Sequence, residues 1–289
     1  REFGAHFLGS ARRPRRPDAS LRQATSREAP VLLDGISHLW LQNVLVDLRR
    51  YAVFAIGVWL VLWVLLRPAL GRRKIRTETP PARQLLAEFA FSVRSIALFS
   101  TVGVGMTLLD RAGFYPLASV AASWGAVWFA ISLILMILGQ DAYVYWTHRA
   151  MHRVRVMRGA HVRHHKSQNP SPFTAYSFDL GEAALMVGFV AVWPLIVPTP
   201  WGVIPLFLAH QIFRNTLLHS GYEFMPARPD GRPLLDWFTT TVHHDLHHGQ
   251  ARWNYAPWFT WWDRWLGTEH PDYHACFAAV AGRSRQTAA

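Results

Sequence analysis

Cysteine occurs once in the 289 residues, at position 276. A single thiol excludes an internal disulfide and an iron–sulfur cluster held by cysteines of this chain. Charge is scarce too. Asp, Glu, Lys and Arg make up 17% of the residues and hydrophobic residues 51%, whereas about a quarter of an average soluble domain is charged. Lysine is reduced to Lys74 and Lys166, so arginine carries the formal charge of +12. That excess fits a basic cytoplasmic face beside anionic lipid or an arginine-biased genome; nucleic acid is not an expected partner of so apolar a chain. No glutamate stands three residues before a histidine, which excludes the paired E-x-x-H motifs of soluble carboxylate di-iron bundles. H-E-x-x-H is missing as well, and with it the zinc-protease reading.

What the chain has instead is long stretches without charge. Residues 51–66, 95–109, 112–140 and 183–213 contain no Asp, Glu, Lys or Arg. A membrane-crossing helix needs roughly 18 or more such residues. The run 112–140 meets that length, 51–66 does so when carried past Arg67, and Arg94 at the edge of 95–109 can reach the lipid surface with its head group. Spans are expected at about 51–67, 88–109 and 117–140, with 37–50 as an interfacial helix. Thr79 followed by Pro80 and Pro81 reads as the start of the second span. The arginine-rich loop 67–83 belongs on the cytoplasmic side, and the third span ends on that side again. A full crossing at 51–67 would put the basic N-terminal tail outside, against the same trend, so that crossing stays open. As one helix, 183–213 would be about 46 Å long, well beyond a hydrocarbon core of about 30 Å. Pro194, Pro198 and Pro200 interrupt it, and a hairpin that enters and returns on one face is expected.

The expected fold is all-α: a multi-pass integral membrane helical bundle with a cytoplasmic, histidine-rich helical cap. Residues 1–38, with "ARRPRRPDAS" and no apolar signal-peptide segment, are expected to form a disordered basic tail. Residues 39–129 are expected to hold the N-terminal membrane helices, and 130–270 a histidine-bearing unit that includes a membrane hairpin at 183–219. A C-terminal tail is expected at 271–289.

Of 15 histidines, 13 lie between positions 148 and 274. His148 and His152 are four apart, on one helical face. His161, His164 and His165 follow the spacing i, i+3, i+4, and His244, His247 and His248 repeat it within "TVHHDLHH". Imidazole suits iron, zinc, copper and nickel. One structural zinc takes four ligands, so eight aligned histidines overshoot it, while two metals fit the number. The hairpin brings the second and third groups together and places His219 just past its returning limb, as a ninth ligand or as a cap on the helix end. His210 falls on the opposite helical face and is expected to be a buried histidine or a residue of a substrate tunnel, outside the centre. Asp141 and Tyr145 share the stripe of His148 and His152, either to orient ligand imidazoles or merely to face a neighbouring helix. Asn215, one turn before His219, either holds a water or makes a helix–helix hydrogen bond. His243 is expected to support the ligands from behind, and Asp245, Asp236 or Asp263 to offset the metal charge. His270 and His274 are expected to be unrelated to the centre.

The boxes "HRAMH", "HVRHH" and "HHDLHH" resemble those of the fatty acid hydroxylase/sterol desaturase superfamily. "LLHSGYE" (217–223) and "NYAPWFTWWDRWLGT" (254–268) resemble the segments flanking its last box, and look especially like those of sterol C4-methyl oxidases. The resemblance covers roughly residues 130–270. It implies a membrane-bound non-haem di-iron enzyme that uses two iron ions, O2 and two electrons to hydroxylate or desaturate a lipid drawn from the bilayer. A separate ferredoxin, cytochrome or reductase would supply the electrons. Its ligands here would be His148, His152, His161, His164, His165, His219, His244, His247 and His248. Two other classes compete. A di-haem cytochrome would carry single histidines on its spans, and a non-catalytic metal-binding or transport protein would line its spans with polar ligands; apart from His210 these spans are bare.

Overall fold

The computed structural model describes residues 19–283, with side chains from residue 34 onward. Among the described residues the chain is helical and its only β-pairings are isolated bridges. Helix α1 (Ala19–Tyr51) continues through two wide-wound segments, Ala52–Ile56 and Leu60–Leu65. The stretch Asp34–Leu65 is long and apolar enough to cross a membrane, as are Ala82–Arg111 and Pro116–Arg153. The first span therefore exceeds the expected 51–67 and absorbs the segment expected to lie in the interface. Asp47 and Arg50, which ended the uncharged run in the sequence, pair with each other at 2.9 Å. Part of the expected basic tail, residues 1–18, lies outside the described residues; from Ala19 the backbone is already helical, well before position 38.

Pro81 holds an extended backbone (φ −66°, ψ 149°) and hands over to α2 (Ala82–Arg111), as a residue without an amide hydrogen does at a helix start. The chain turns at Gly113, whose φ of +80° favours glycine. A short helix, Pro116–Ala121, leads into α3 (Gly125–Arg153). Helices α4 (Leu180–Ile196) and α5 (Val203–Leu218) form a hairpin whose turn, residues 197–202, contains Pro198 and Pro200. Each limb is about 25 Å long. The Tyr115 hydroxyl donates to the Ala191 carbonyl at 3.0 Å, and the Trp128 indole to that of Pro198 at 2.9 Å. The hairpin thus reaches as deep as the turn between α2 and α3. Helices α3 and α4 touch closely at Gly139, where any side chain would run into the Trp193 ring.

Within the three candidate spans only 22%, 28% and 17% of the most apolar stretch is buried. Residues such as Leu65, Val127 and Ile196 point outward. A soluble protein would hide surface of this extent, so the outer face of the bundle is built for lipid.

At the other end, the loop between the first two spans lies against the histidine-bearing segments. Ile75 N donates to Gly221 O and Glu223 N to Arg73 O, both at 2.9 Å, and Arg76 pairs with Asp245 at 2.9 Å. The arginine-rich loop and the boxes therefore share one end of the bundle. That end is closed by α6 (Thr241–Gly249) and α7 (Tyr273–Gly282). Residues expected as a C-terminal tail are a docked helix up to Gly282. Tyr273, Phe277 and Val280 follow a helical spacing and cover Val242 of α6.

Candidate metal centre

Nine histidines converge where α3, α5 and α6 meet the 161–166 turn. Their ring nitrogens form two sets, each within 4.8 Å: His148, His152, His161, His165 and His247, and His164, His219, His244 and His248. The predicted nine are thus brought together, and His210, His243, His270 and His274 lie outside both sets.

The local backbone explains the division. His148 and His152 sit on the last turns of α3, one above the other. The segment 161–166, expected to be one helical face, is a tight turn ending in a short 3-10 stretch. Successive residues there point to opposite sides, so His165 joins the first set and His164 the second. On α6, His244 and His248 are four apart and share a set, while His247 faces the other. Thr240 starts α6 by accepting from His243 N at 3.2 Å. His219 ends α5.

Backbone carbonyls fix the rings. His148 Nδ1 lies 2.8 Å from Tyr255 O, His219 Nδ1 2.7 Å from Asn215 O, and His247 Nδ1 2.6 Å from Trp253 O. Each of these nitrogens must be the N–H donor, which leaves the Nε2 lone pair facing inward. The Nε2 atoms then face one another: His148 and His161 at 3.0 Å, His165 and His247 at 3.0 Å, His219 and His244 at 2.9 Å. His219 Nε2 also stands 3.1 Å from that of His248 and 3.2 Å from that of His164. Lone pairs so placed repel unless a cation lies at their focus. Ligands about 2.1 Å from a metal and at right angles are about 3 Å apart, so the residues fit one metal ion per set. Burial, with neighbouring imidazoles next in effect, holds His161, His164, His244, His247 and His248 well below the usual imidazole range. His165 and His219 are lowered to about 4, chiefly by burial. All are neutral near pH 7, the form that binds metal.

Asp141 and Tyr145 face a neighbouring segment rather than the ligand rings. Asp141 touches no histidine; its carboxylate accepts from the backbone N–H groups of Trp258 (2.9 Å) and Phe259 (3.2 Å) and from the Trp261 indole (3.1 Å). The Tyr145 hydroxyl pairs with Thr268 at 2.9 Å. Both residues hold the 255–268 segment, whose Tyr255 carbonyl holds His148, so they act one step further out. Asp263 supports the same segment, accepting from Tyr255 N and Ala256 N at 2.9 Å and from Thr268 at 2.8 Å. Asn215 donates its side-chain amide to Ala175 O, and its backbone carbonyl orients His219. His243 is buried on the back of α6, edge-on to Tyr273 and 3.6 Å from Asp263. Asp245 faces Arg76, and Asp236 bonds Arg264 and His274. The carboxylate beside the centre is Glu182, which the sequence reading missed: its Oε2 lies 2.8 Å from His161 Nδ1. The signal was there. Glu182 heads a run of 31 uncharged residues, and a carboxylate in that place needs a partner.

A small cavity of about 60 Å3 opens beside His148, His161, His164 and His244. A family model described as fatty acid hydroxylase matches residues 133–268. Lathosterol oxidase of Homo sapiens is 27% identical over 184 residues, 63% of this chain and 60% of that protein. Methylsterol monooxygenase 1 of Rattus norvegicus is 34% identical over 140 residues, 47% and 45% of the two chains. Cholesterol 25-hydroxylase of Rattus norvegicus is 31% identical over 220 residues, 71% and 67%. The match spans about 60% of the human lathosterol oxidase and less than half of the methylsterol monooxygenase. No solved structure matches.

Proposed function

This chain belongs to the fatty acid hydroxylase/sterol desaturase superfamily, and from that membership we propose that it is a membrane-bound non-haem di-iron oxidoreductase acting on a lipid C–H bond. The observation that carries the proposal is the pair of converging Nε2 sets. Nine neutral imidazoles in two groups suit two redox-active ions, and zinc, which cannot change oxidation state, would not serve. Two irons held by these histidines would activate O2 for attack on an unactivated C–H bond.

The chain's own residues have three tasks. The carbonyls of Tyr255, Asn215 and Trp253 hold protons at Nδ1 and keep each Nε2 available. Glu182 stands against His161 Nδ1 and would offset part of the charge of a metal held by the first set. Val144, Met151, Phe178 and Leu218 wall the adjoining cavity with apolar groups and keep bulk water away. Hydroxylation consumes one O2, two electrons and two protons and releases one water; desaturation with the same inputs releases two. The electrons come from a separate ferredoxin, cytochrome or reductase. The substrate is a sterol-like or fatty acyl lipid that enters from the bilayer, and the centre faces the cytoplasm because the arginine-rich 67–83 loop lies at the same end.

The test is iron analysis after anaerobic loading, together with O2 uptake on adding lipid extract and reductant. About two irons per chain and lipid-dependent O2 uptake are expected. One haem, or one zinc retained under iron-replete conditions, overturns the reading.

A further inference from the structure

A chamber of about 430 Å3 lies among α1, α2, α4 and α5, a volume typical of small-molecule sites. Its wall runs in the same order along every helix, from the histidine end outward. On α2 it extends from Phe99 and Ser100 to Asp110, about 16 Å along the axis. On α5 it runs from Gln211 back to Ile204, on α4 from Met186 to Val190, and on α1 from Arg50 back to Asn43. Met186 and Gln211 also line the small cavity beside His148, His161, His164 and His244. These two side chains form the partition between chamber and metal centre.

Most of the chamber wall is apolar, but its inner end carries a charge pair. Asp47 lies 2.9 Å from Arg50 and accepts from the Ser100 hydroxyl at 3.1 Å. An ionisable pair at this depth in a spanning helix is costly and marks a working site. A pair that only locked α1 to α2 would be packed on all sides. Here the two side chains keep 18% and 17% exposure, and both line the chamber.

We infer that the chamber holds the hydrocarbon body of a lipid alcohol, with its hydroxyl bonded to Asp47 and Arg50 at the end nearest the histidines. This rests on the oxidase reading for its chemical consequence: the carbon oxidised lies near the hydroxyl, and the tail points away from the metals. A hydroxyl both donates and accepts, so it can give its proton to the Asp47 carboxylate and take a bond from the Arg50 guanidinium. A fatty carboxylate at this inner end would meet the Asp47 carboxylate, which already pairs with Arg50, the single cation in this wall; at the outer end it would meet Asp110. A phosphate head group would meet the same carboxylates. The tail then extends along Val190 and Ile204 toward Trp201.

Two sterol photoprobes on the unaltered, iron-loaded protein in detergent test the orientation. One carries a diazirine in the ring system near the hydroxyl, the other at the end of the side chain. Mapped residue by residue by fragmentation, the ring probe is expected to label Tyr176, Met186 or Gln211, and the tail probe Val190, Trp201 or Ile204. Reversed labelling, or labelling outside the chamber, overturns the inference. Affinity gives a second readout. Cholesterol should bind about tenfold or more tighter than cholestane, which lacks the hydroxyl, and tighter than oleate. The paired replacement Asp47→Leu with Arg50→Leu avoids leaving a lone buried charge; it should abolish the preference for cholesterol and keep both cholestane binding and iron content. A preference that survives the paired replacement overturns the assignment, and photolabelling decides the matter if that variant does not fold. Neither readout needs turnover, so a protein that binds cholesterol in this pose but shows no iron-dependent O2 uptake refutes the oxidase reading alone.

Discussion

His161 Nδ1 lies 2.8 Å from Glu182 Oε2, and the two side chains are 4% and 5% exposed. The other Nδ1 partners in the centre are backbone carbonyls that substitution leaves in place; this one is a side chain and can be removed. Glu182→Leu is expected to lower the affinity of the five-histidine set by about 10–100-fold. Glu182→Gln, which keeps the shape and a hydrogen-bonding oxygen, should lose less. Iron retained after dialysis against graded chelator measures both. Equal retention by the leucine variant and the unaltered protein would show that Glu182 does not support the metal.

His219 closes the four-histidine set from a helix of its own, with Nε2 within 3.2 Å of three other imidazoles. Purified His219→Ala is expected to carry clearly fewer than two irons and to show negligible turnover. His210→Ala and His243→Ala, whose rings lie outside both sets, should keep two irons and measurable activity. A His219→Ala protein with full iron and near-normal turnover would leave an eight-histidine centre.

Asp263 holds the loop that holds His148. Asp263→Ala leaves the N–H groups of Tyr255 and Ala256 without their acceptor, at a cost of about 1–3 kcal/mol for each buried donor so exposed. Thermal unfolding in detergent should fall and iron retention with it. Asp263→Asn, which keeps an acceptor oxygen, should be milder. A stability unchanged in the alanine variant would contradict this account.

With Cys276 replaced by Ser, single cysteines at positions 166 and 250 should be labelled by a membrane-impermeant maleimide from the same side. Cysteines at 113 and 198, at the turns of the two hairpins, should react from the opposite side or be shielded by lipid. Labelling of 166 and 250 from opposite sides would contradict a shared centre.

Much of this architecture could be read in the sequence because it depends on spacing. The three boxes stand out because ligands on one helical face recur at three and four residues, and the hairpin because three prolines cut a run too long for one crossing. The split into five and four is not legible in spacing alone: i, i+3, i+4 predicts one helical face over 161–165, whereas a turn sends neighbours His164 and His165 to different sets. Glu182 escaped notice, and the two readings of Asp141 stayed open, because only tertiary packing decides what a buried carboxylate touches. Asp47 and Arg50 hid the true length of the first span, since a charge that is paired inside a bundle looks in the sequence like one that ends a helix. The tail after residue 270 looked structureless because α7 is stabilised by its contact with α6 rather than by any strong signal of its own.

Two short segments serve both histidine sets at once. The 161–165 turn gives His161 and His165 to one and His164 to the other, and α6 gives His247 to the first and His244 and His248 to the second. An ion entering either set orders segments that the other also needs, so the entropic cost of ordering falls mainly on the first ion and the second binds more readily. Anaerobic titration of metal-free protein with ferrous ion should therefore yield a mixture of metal-free and fully loaded molecules, with the one-iron form scarce. Maturation of the centre then behaves as an all-or-none event, and limited iron supply changes how many molecules are competent rather than how well each one works.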